Sequence, residues 1–225
     1  IKVKSKHQYI PINKGHSDLE TEERRNKFKK IASEGWETDY ESYRDKWYTN
    51  PDQKIVEEWP LHVDLELVSR CNLKCPMCPT LLPIFQELRV DHYTKGCMDK
   101  ELAKKIITEI AGHVFSLRLS WVGESTLHPD LVSILKFAKG SGIPEVSFLT
   151  NGARLTETLF RELMEEGLDI LTISVDGLNE TYEKIRAPIK FDTIKQKIEL
   201  FSSIKKSAGN LKPLLKIQSI WPAIE

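Results

Sequence analysis

Leu61-His62-Val63-Asp64-Leu65-Glu66-Leu67-Val68, running straight into Ser69-Arg70-Cys71-Asn72-Leu73-Lys74-Cys75-Pro76-Met77-Cys78-Pro79, is the stretch that decides the fold. The first part alternates apolar and polar side chains, as a half-buried strand does. The second is a loop whose cysteines are spaced C-x3-C-x2-C. Loops at the C-terminal ends of strands are where parallel βα architectures build their sites. Thiols gathered there point to a metal centre rather than to a staple.

The same rhythm continues downstream. Met98, Leu102, Ile106 and Ile110 mark an amphipathic helix, and residues 114–121 read as a second strand. Leu131, Ile134, Leu135 and Ala138 mark the next helix, with Pro129 near its start and Gly140 past its end. A third strand at 146–149, a helix at 155–166 closed by Gly167, a fourth strand at 170–175, helical pieces near 179–186 and 192–206, and a fifth strand at 214–220 follow. Strands alternating with helices mean βαβ units and a parallel sheet. Right-handed crossovers curl such a sheet one way. The expectation is an α/β fold, a partial (β/α) barrel of the TIM type. A sheet that stops at a fifth strand leaves an unpaired edge, so the core is expected to run from residue 60 to 225 and to be truncated after that strand.

Residues 1–59 differ from the rest. Trp36, Tyr40, Tyr43 and Trp47 fall at i, i+4, i+7 and i+11 and line one face of a helix. They predict a helical N-terminal extension that docks its aromatic stripe on the main domain, with Asn50-Pro51-Asp52 as the stop. Ile1-Lys2-Val3-Lys4 has no signal-peptide h-region and no initiator methionine, which indicates a trimmed chain.

The 225 residues carry 33 basic and 33 acidic side chains. This balance offers no electrostatic argument for nucleic acid or an anionic membrane. At 40% hydrophobic residues the composition is that of an ordinary globular protein, and no apolar run approaches the roughly 20 residues of a membrane span. Three of the four cysteines are clustered, whereas a disulfide framework spreads an even set through a short secreted chain. A reducing, cytoplasmic setting is expected. Cys97 is read as a free, half-buried thiol near a helix start.

Three thiolates this close suit three corners of a cubic iron–sulfur cluster, leaving the fourth iron open. Zinc is the alternative, but structural zinc wants four ligands, and the one remaining cysteine is Cys97 with no histidine in the loop. Other distinctive residues sit on the same rim: Trp121-Val122-Gly123-Glu124-Ser125 after strand two, Thr150-Asn151-Gly152 after strand three, and Ser174-Val175-Asp176-Gly177 at the end of strand four. Glu66 on strand one is a further candidate, because an inward carboxylate needs a partner. Asn151 serves a turn or a ligand equally well. His128 is assigned a local role at a helix entry, and Glu166 and Asp169 read as solvated charges. The 80–96 loop, with Phe85, Arg89, His92 and Tyr93, is long for a βα connection and reads as a cover over the substrate.

Together these motifs resemble the radical S-adenosylmethionine enzymes over residues 60–220. The run Glu66 to Cys75 is similar to members with a C-terminal SPASM extension. The resemblance implies a [4Fe-4S] cluster on Cys71, Cys75 and Cys78, with the amino and carboxylate groups of S-adenosylmethionine on the open iron. It implies that Met77 lies beside the adenine and that Gly123 and Glu124 bind the amino group, although Val122 and Ser125 depart from the usual Gly-Gly-Glu-Pro. It places Ser174 and Asp176 at the ribose or carboxylate, Arg186 at the carboxylate and Gln218 at the ribose. The implied reaction is reductive cleavage of the sulfonium to a 5′-deoxyadenosyl radical, which takes a hydrogen atom from a substrate. Peptide modification and oxidation of a small alcohol or sugar are the activities it suggests. A flavodoxin or ferredoxin would donate electrons. A non-catalytic iron–sulfur protein for electron transfer or sensing is the second reading, but it needs no amino-group loop.

Overall fold

A computed structural model describes residues 21–81 and 96–220. Five parallel strands, β1 (His62–Asp64), β2 (Ser116–Arg118), β3 (Glu145–Thr150), β4 (Ile170–Ser174) and β5 (Leu214–Gln218), form one sheet in the order β1-β2-β3-β4-β5. Each strand is parallel to its sequence neighbour. That unmixed winding is the partial barrel expected from the alternation.

The sheet has two unlike faces. Val63, Leu117, Val146, Phe148, Leu171 and Ile173 point to one side and enter the main core. Over them lie α3 (Lys100–Ile110), α4 (Leu131–Gly140), α5 (Glu157–Glu165), α6 (Asn179–Ile185) and α7 (Phe191–Ser207). Phe160 of α5 stacks on Phe201 of α7 with centroids 4.3 Å apart. Burying side chains of this size contributes about 1.5–3 kcal/mol each. The other face is polar. His62 Nδ1 and Ser116 Oγ are 3.0 Å apart, and Ser116 donates to Glu145 at 2.8 Å, across the first row of β1, β2 and β3. In the next row Arg118 forms an ion pair with Asp64.

Helices α1 (Glu22–Ala32) and α2 (Glu37–Gln53) close the N-terminal end of that polar face. Tyr40 and Tyr43 are buried, Tyr43 stacks on Phe115 at 5.4 Å, and Trp47 meets His62 edge-on at 6.1 Å. The aromatic stripe therefore docks as its spacing predicts. Pro51 does not stop α2, which runs on to Gln53 and turns at Lys54 in the left-handed region.

Several boundaries moved for identifiable reasons. In α3 the buried residues are Ala103, Ile107 and Ile110, while Leu102 is exposed. Asp99 caps the helix by accepting from the backbone of Glu101 and Leu102, and this start sets which side faces the core. Strand β1 ends at Asp64, far short of Val68, because the chain there changes partner. Met98 N–H donates to Leu67 O at 2.8 Å, Ser69 N–H donates to Gly96 O at 3.1 Å, and Val68 pairs antiparallel with Cys97. This neck closes the base of the cysteine loop. Cys97 lies in it as an exposed thiol, not a half-buried one.

Asp169 is not a solvated charge. It is buried ahead of β4, paired with Lys139 and Lys212, and accepts from the Val146 N–H at 2.8 Å. His128 has the local role expected: Nε2–H donates to Met98 O at 2.8 Å and Nδ1 accepts from Asp130 N–H, tying the neck to the entry of α4. Phe85, Arg89, His92 and Tyr93 lie outside the described residues.

Candidate active site at the cysteine rim

The three cysteines occupy the loop above the neck. Cys75 is buried, Cys78 half-buried and Cys71 exposed at the loop surface. Burial pushes the thiols of Cys71 and Cys75 up, and the neighbouring thiols add to that push as like charges, Cys78 on Cys71 and both Cys71 and Cys78 on Cys75. Positive metal charge at the thiols would offset both penalties, since a thiolate, not a thiol, is the ligand. Cys78 Sγ lies 3.0 Å from Thr80 Oγ1, at the start of a short 3-10 turn over Pro79–Leu81. Asn151 Nδ2–H reaches Cys71 Sγ at 3.6 Å and Asn72 Oδ1 at 2.9 Å, so the turn after β3 holds the loop from the side.

Beside the loop, β2 opens. Its ladder with β3 stops early because Ser125 Oγ–H donates to Leu119 O and the Leu149 N–H goes to Ser120 Oγ. Glu124 fills the gap and is only 2% exposed. Its Oε1 accepts from Thr126 N–H, Thr126 Oγ and Thr150 Oγ, and its Oε2 accepts from Asn151 N–H at 2.8 Å. A carboxylate with this many donors needs no cation to be buried. It couples the loop after β2 to the turn after β3, and through Asn151 to Cys71.

Glu66 supports the same loop from the other side. Its Oε1 accepts from the N–H groups of Val122 and Gly123, both at 3.1 Å. Gly123 is required by contact rather than by torsion. A Cβ there would lie 1.8 Å from Val68 O and 2.9 Å from Arg70 O, so the loop rests directly on the backbone entering the cysteine segment. Glu124 N–H completes the seam by donating to Arg70 O at 2.9 Å.

Across the rim, Asp176 is fully buried after β4. Its Oδ2 accepts from Arg186 Nε at 2.7 Å and also pairs with Nη2, while Oδ1 accepts from Ile220 N–H at 2.8 Å. Arg186 lies at the end of α6, and its charge opposes the upward push on the Cys75 thiol. Nε and Nη2 of the guanidinium serve the pair, and Nη1 lies outside it. Ser174 ends β4, buried, in register with Gln218 of β5. Gln218 and Met77 are both exposed, Met77 at 37%.

Loops from all four preceding strands thus meet at one rim: the cysteine loop with Met77, the Gly123–Glu124 seam, Asn151, and Ser174 with Asp176 and Arg186. Gln218 adds the edge strand. In the sequence Asn151 suits a turn and a ligand equally. Its double engagement, backbone to Glu124 and side chain to Cys71, needs two loops far apart in the chain. Tyr182 on α6 carries no sequence signal beyond an apolar position, yet it is fully buried, edge-on to Phe191.

The donor set suits a polynuclear centre. Among the described residues, no three His, Cys, Asp or Glu converge as a single metal ion requires. In a cubic cluster each thiolate binds its own iron, so separate corners are what the loop needs to supply.

Comparison with known proteins agrees. The chain is 28% identical over 159 residues to the tungsten-containing aldehyde ferredoxin oxidoreductase cofactor-modifying protein of Pyrococcus furiosus, covering 69% of this chain and 42% of that protein. It is 31% identical over 136 residues to a probable GTP 3′,8-cyclase of Methanococcus maripaludis, covering 60% of this chain and 43% of that one. The chain thus spans less than half the length of these relatives. Among solved structures, SuiB of Streptococcus suis bound to its precursor peptide SuiA superposes with a TM-score of 0.57 at 14% identity, over 81% of this chain and 37% of that one. The Radical SAM superfamily pattern matches residues 65–211, from the end of β1 almost to β5. With thiols, neck and rim built by the residues of that span, the chain belongs to the Radical SAM superfamily, whose members use a [4Fe-4S] cluster and S-adenosylmethionine.

Proposed function

We propose that residues 60–225 form the core of a radical S-adenosylmethionine enzyme and that residues 1–59 are a helical extension bracing it. The observation that carries this reading is the joining of the cysteine loop to the Glu124 carboxylate through Asn151. An electron-transfer protein needs the cysteines but not the seam beside them. When bound, the cluster and S-adenosylmethionine would supply one-electron chemistry at the sulfonium and, through it, hydrogen-atom abstraction from a substrate.

The chain's own residues bind and orient. Cys71, Cys75 and Cys78 hold the cluster as thiolates. The Gly123–Glu124 seam would receive the cofactor's ammonium on its backbone carbonyls, held in place by the Glu124 carboxylate that its four donors fix. Glu66 fixes that seam by its two backbone bonds. Arg186, oriented by Asp176, offers its remaining nitrogen to the carboxylate, since a guanidinium matches a carboxylate geometrically. Ser174 and Gln218, neighbours in register, would serve the ribose, and the exposed Met77 would serve the adenine. The hydrogen-atom donor is held on the polar face of the sheet, which α1 and α2 close at the far end. That face suits a small alcohol or sugar; a peptide is the other substrate class, SuiB having been solved with its precursor peptide SuiA. Electrons arrive from a flavodoxin or ferredoxin, and the setting is cytoplasmic. No described helix is long and apolar enough to cross a membrane.

The test is direct. Reconstituted without oxygen, reduced and supplied with S-adenosylmethionine, the protein should release 5′-deoxyadenosine. A fully loaded cluster that cleaves none of the cofactor sinks the enzyme reading and leaves the electron-transfer one.

A further inference from the structure

Asn151 differs from the other donors at the cysteine loop in where it comes from. Cys71 Sγ accepts from the Leu73 N–H at 3.4 Å, and Cys78 Sγ lies 3.0 Å from the Thr80 hydroxyl; both partners belong to the loop itself. Asn151 reaches Cys71 Sγ at 3.6 Å from the turn after β3, 80 residues along the chain. Its Nδ2 carries two hydrogens, so the 2.9 Å bond to Asn72 Oδ1 leaves one for the sulfur. The bonds around the amide fix which way it faces. Oδ1 accepts the Ala153 N–H at 2.9 Å, and a flip would set that oxygen against Asn72 Oδ1 and leave the Ala153 N–H facing an NH2 group. The turn is also held from outside the loop. The Asn151 N–H donates to the buried Glu124 at 2.8 Å, and Lys197 Nζ of α7 donates to the carbonyls of Gly152 and Ala153, both at 2.8 Å. The bonds to Ala153, Glu124 and Lys197 use nothing of the cysteine loop, so the donor is set in place before a cluster loads.

We propose that Asn151 sets the cluster's reduction potential from outside the cysteine loop: its side-chain amide donates to the Cys71 sulfur and holds the potential above the value the loop alone would give. The proposal rests on the cluster assignment above. Reduction adds negative charge to the cluster, and a fixed donor on a ligating sulfur stabilises that charge more than the oxidised state's; hydrogen bonds to the sulfurs are a general control of cluster potential. The bond strengthens when Cys71 becomes a thiolate, because one partner is then charged. The same turn hangs on Glu124, so the cluster's donor and the seam that takes the cofactor's ammonium share one support.

The experiment compares the reconstituted protein with its Asn151→Ser variant. A serine hydroxyl still accepts the Ala153 N–H, as such turns allow, but is too short to reach Cys71. Iron and sulfide content and the visible absorbance establish loading first. An unsubstituted protein that takes up no cluster overturns the site assignment and this proposal with it. Potentials are read without S-adenosylmethionine, so a loaded protein that cleaves no cofactor fails the enzyme reading and still decides this one. With both proteins loaded, redox titration followed by electron paramagnetic resonance should place the variant at a more negative potential, by up to a tenfold change in the reduction equilibrium, about 59 mV for one electron. An unmoved or raised potential overturns the role of Asn151 and leaves the cluster assignment standing. Should the serine variant fail to hold its cluster, pulsed electron paramagnetic resonance on loaded Asn72→Ser protein, labelled with nitrogen-15 in its asparagine side chains, decides the matter. Asn151 is then the asparagine left at the loop among the described residues. A nitrogen-15 coupling to the reduced cluster supports the bond, and its absence overturns it.

Discussion

Strand β4 has a buried aspartate near each end, and the two carry out different work with the same chemistry. Asp169 at the N-terminal end and Asp176 past the C-terminal end are 4% and 0% exposed. Each accepts a backbone N–H from a neighbouring strand segment, Val146 for Asp169 and Ile220 for Asp176. Each also pairs with positive charge. Asp169 is saturated by Lys139 and Lys212, which anchor α4 and the approach to β5. Asp176 has one charged partner, Arg186, whose guanidinium is only partly used and whose charge is felt by the Cys75 thiol. An ion pair at the closed end of a parallel sheet serves stability, while one at the open end can also present a half-spent charge to a ligand.

The largest effect should fall at the rim itself. Cys75→Ala should abolish the visible iron–sulfur absorbance after reconstitution while the cluster-free protein still folds, and a retained band would contradict the ligand assignment. Next, Arg186→Met leaves the Asp176 carboxylate buried and unpaired, a loss of about 3–5 kcal/mol. Chemical denaturation should show that loss, and calorimetry should show weakened binding of S-adenosylmethionine as well. If binding survives in the folded fraction, the open-end pair is only structural and the contrast collapses. At the closed end, Asp169→Asn should cost about 1–3 kcal/mol, less than at the rim because Lys139 and Lys212 keep some access to water. It should leave cofactor affinity unchanged once the protein is folded; a changed affinity would break the distinction between the two ends. The smallest effect belongs to Glu66→Gln. The amide keeps an acceptor for Val122 and Gly123 but loses the charge, a change of about 0.5–1.5 kcal/mol. It should appear as a raised KM for S-adenosylmethionine with little change in kcat.

Much of the fold was legible because strands, helices and their order are written in local periodicity. The shortness of β1 and β2 was not. Residues 65–68 carry a good strand pattern, yet Leu67 and Val68 turn to the segment around Cys97, and only the neck reveals that exchange. Beyond Arg118 the chain still looks like strand, but Ser120 and Ser125 take over the ladder's bonds so that Glu124 can enter. Asp169 was misread for a similar reason: nothing local announces Lys139 and Lys212, which come from distant parts of the chain. At the rim, spacing and residue type singled out the cysteines, the Gly123–Glu124 pair and Asp176. The links that join them, Asn151 to Cys71, Glu66 to Gly123 and Asp176 to Arg186, join different loops, and a one-dimensional pattern carries no signal for them.

The sequence by itself determined the βα alternation, the place of the thiols after the first strand and the radical S-adenosylmethionine resemblance, since each depends on spacing along the chain. The tertiary structure alone decided that Glu124 is sealed among four donors and that Arg186 is oriented by Asp176. Those facts depend on burial and on distances between loops, and only the folded chain brings such groups out of water and into each other's reach.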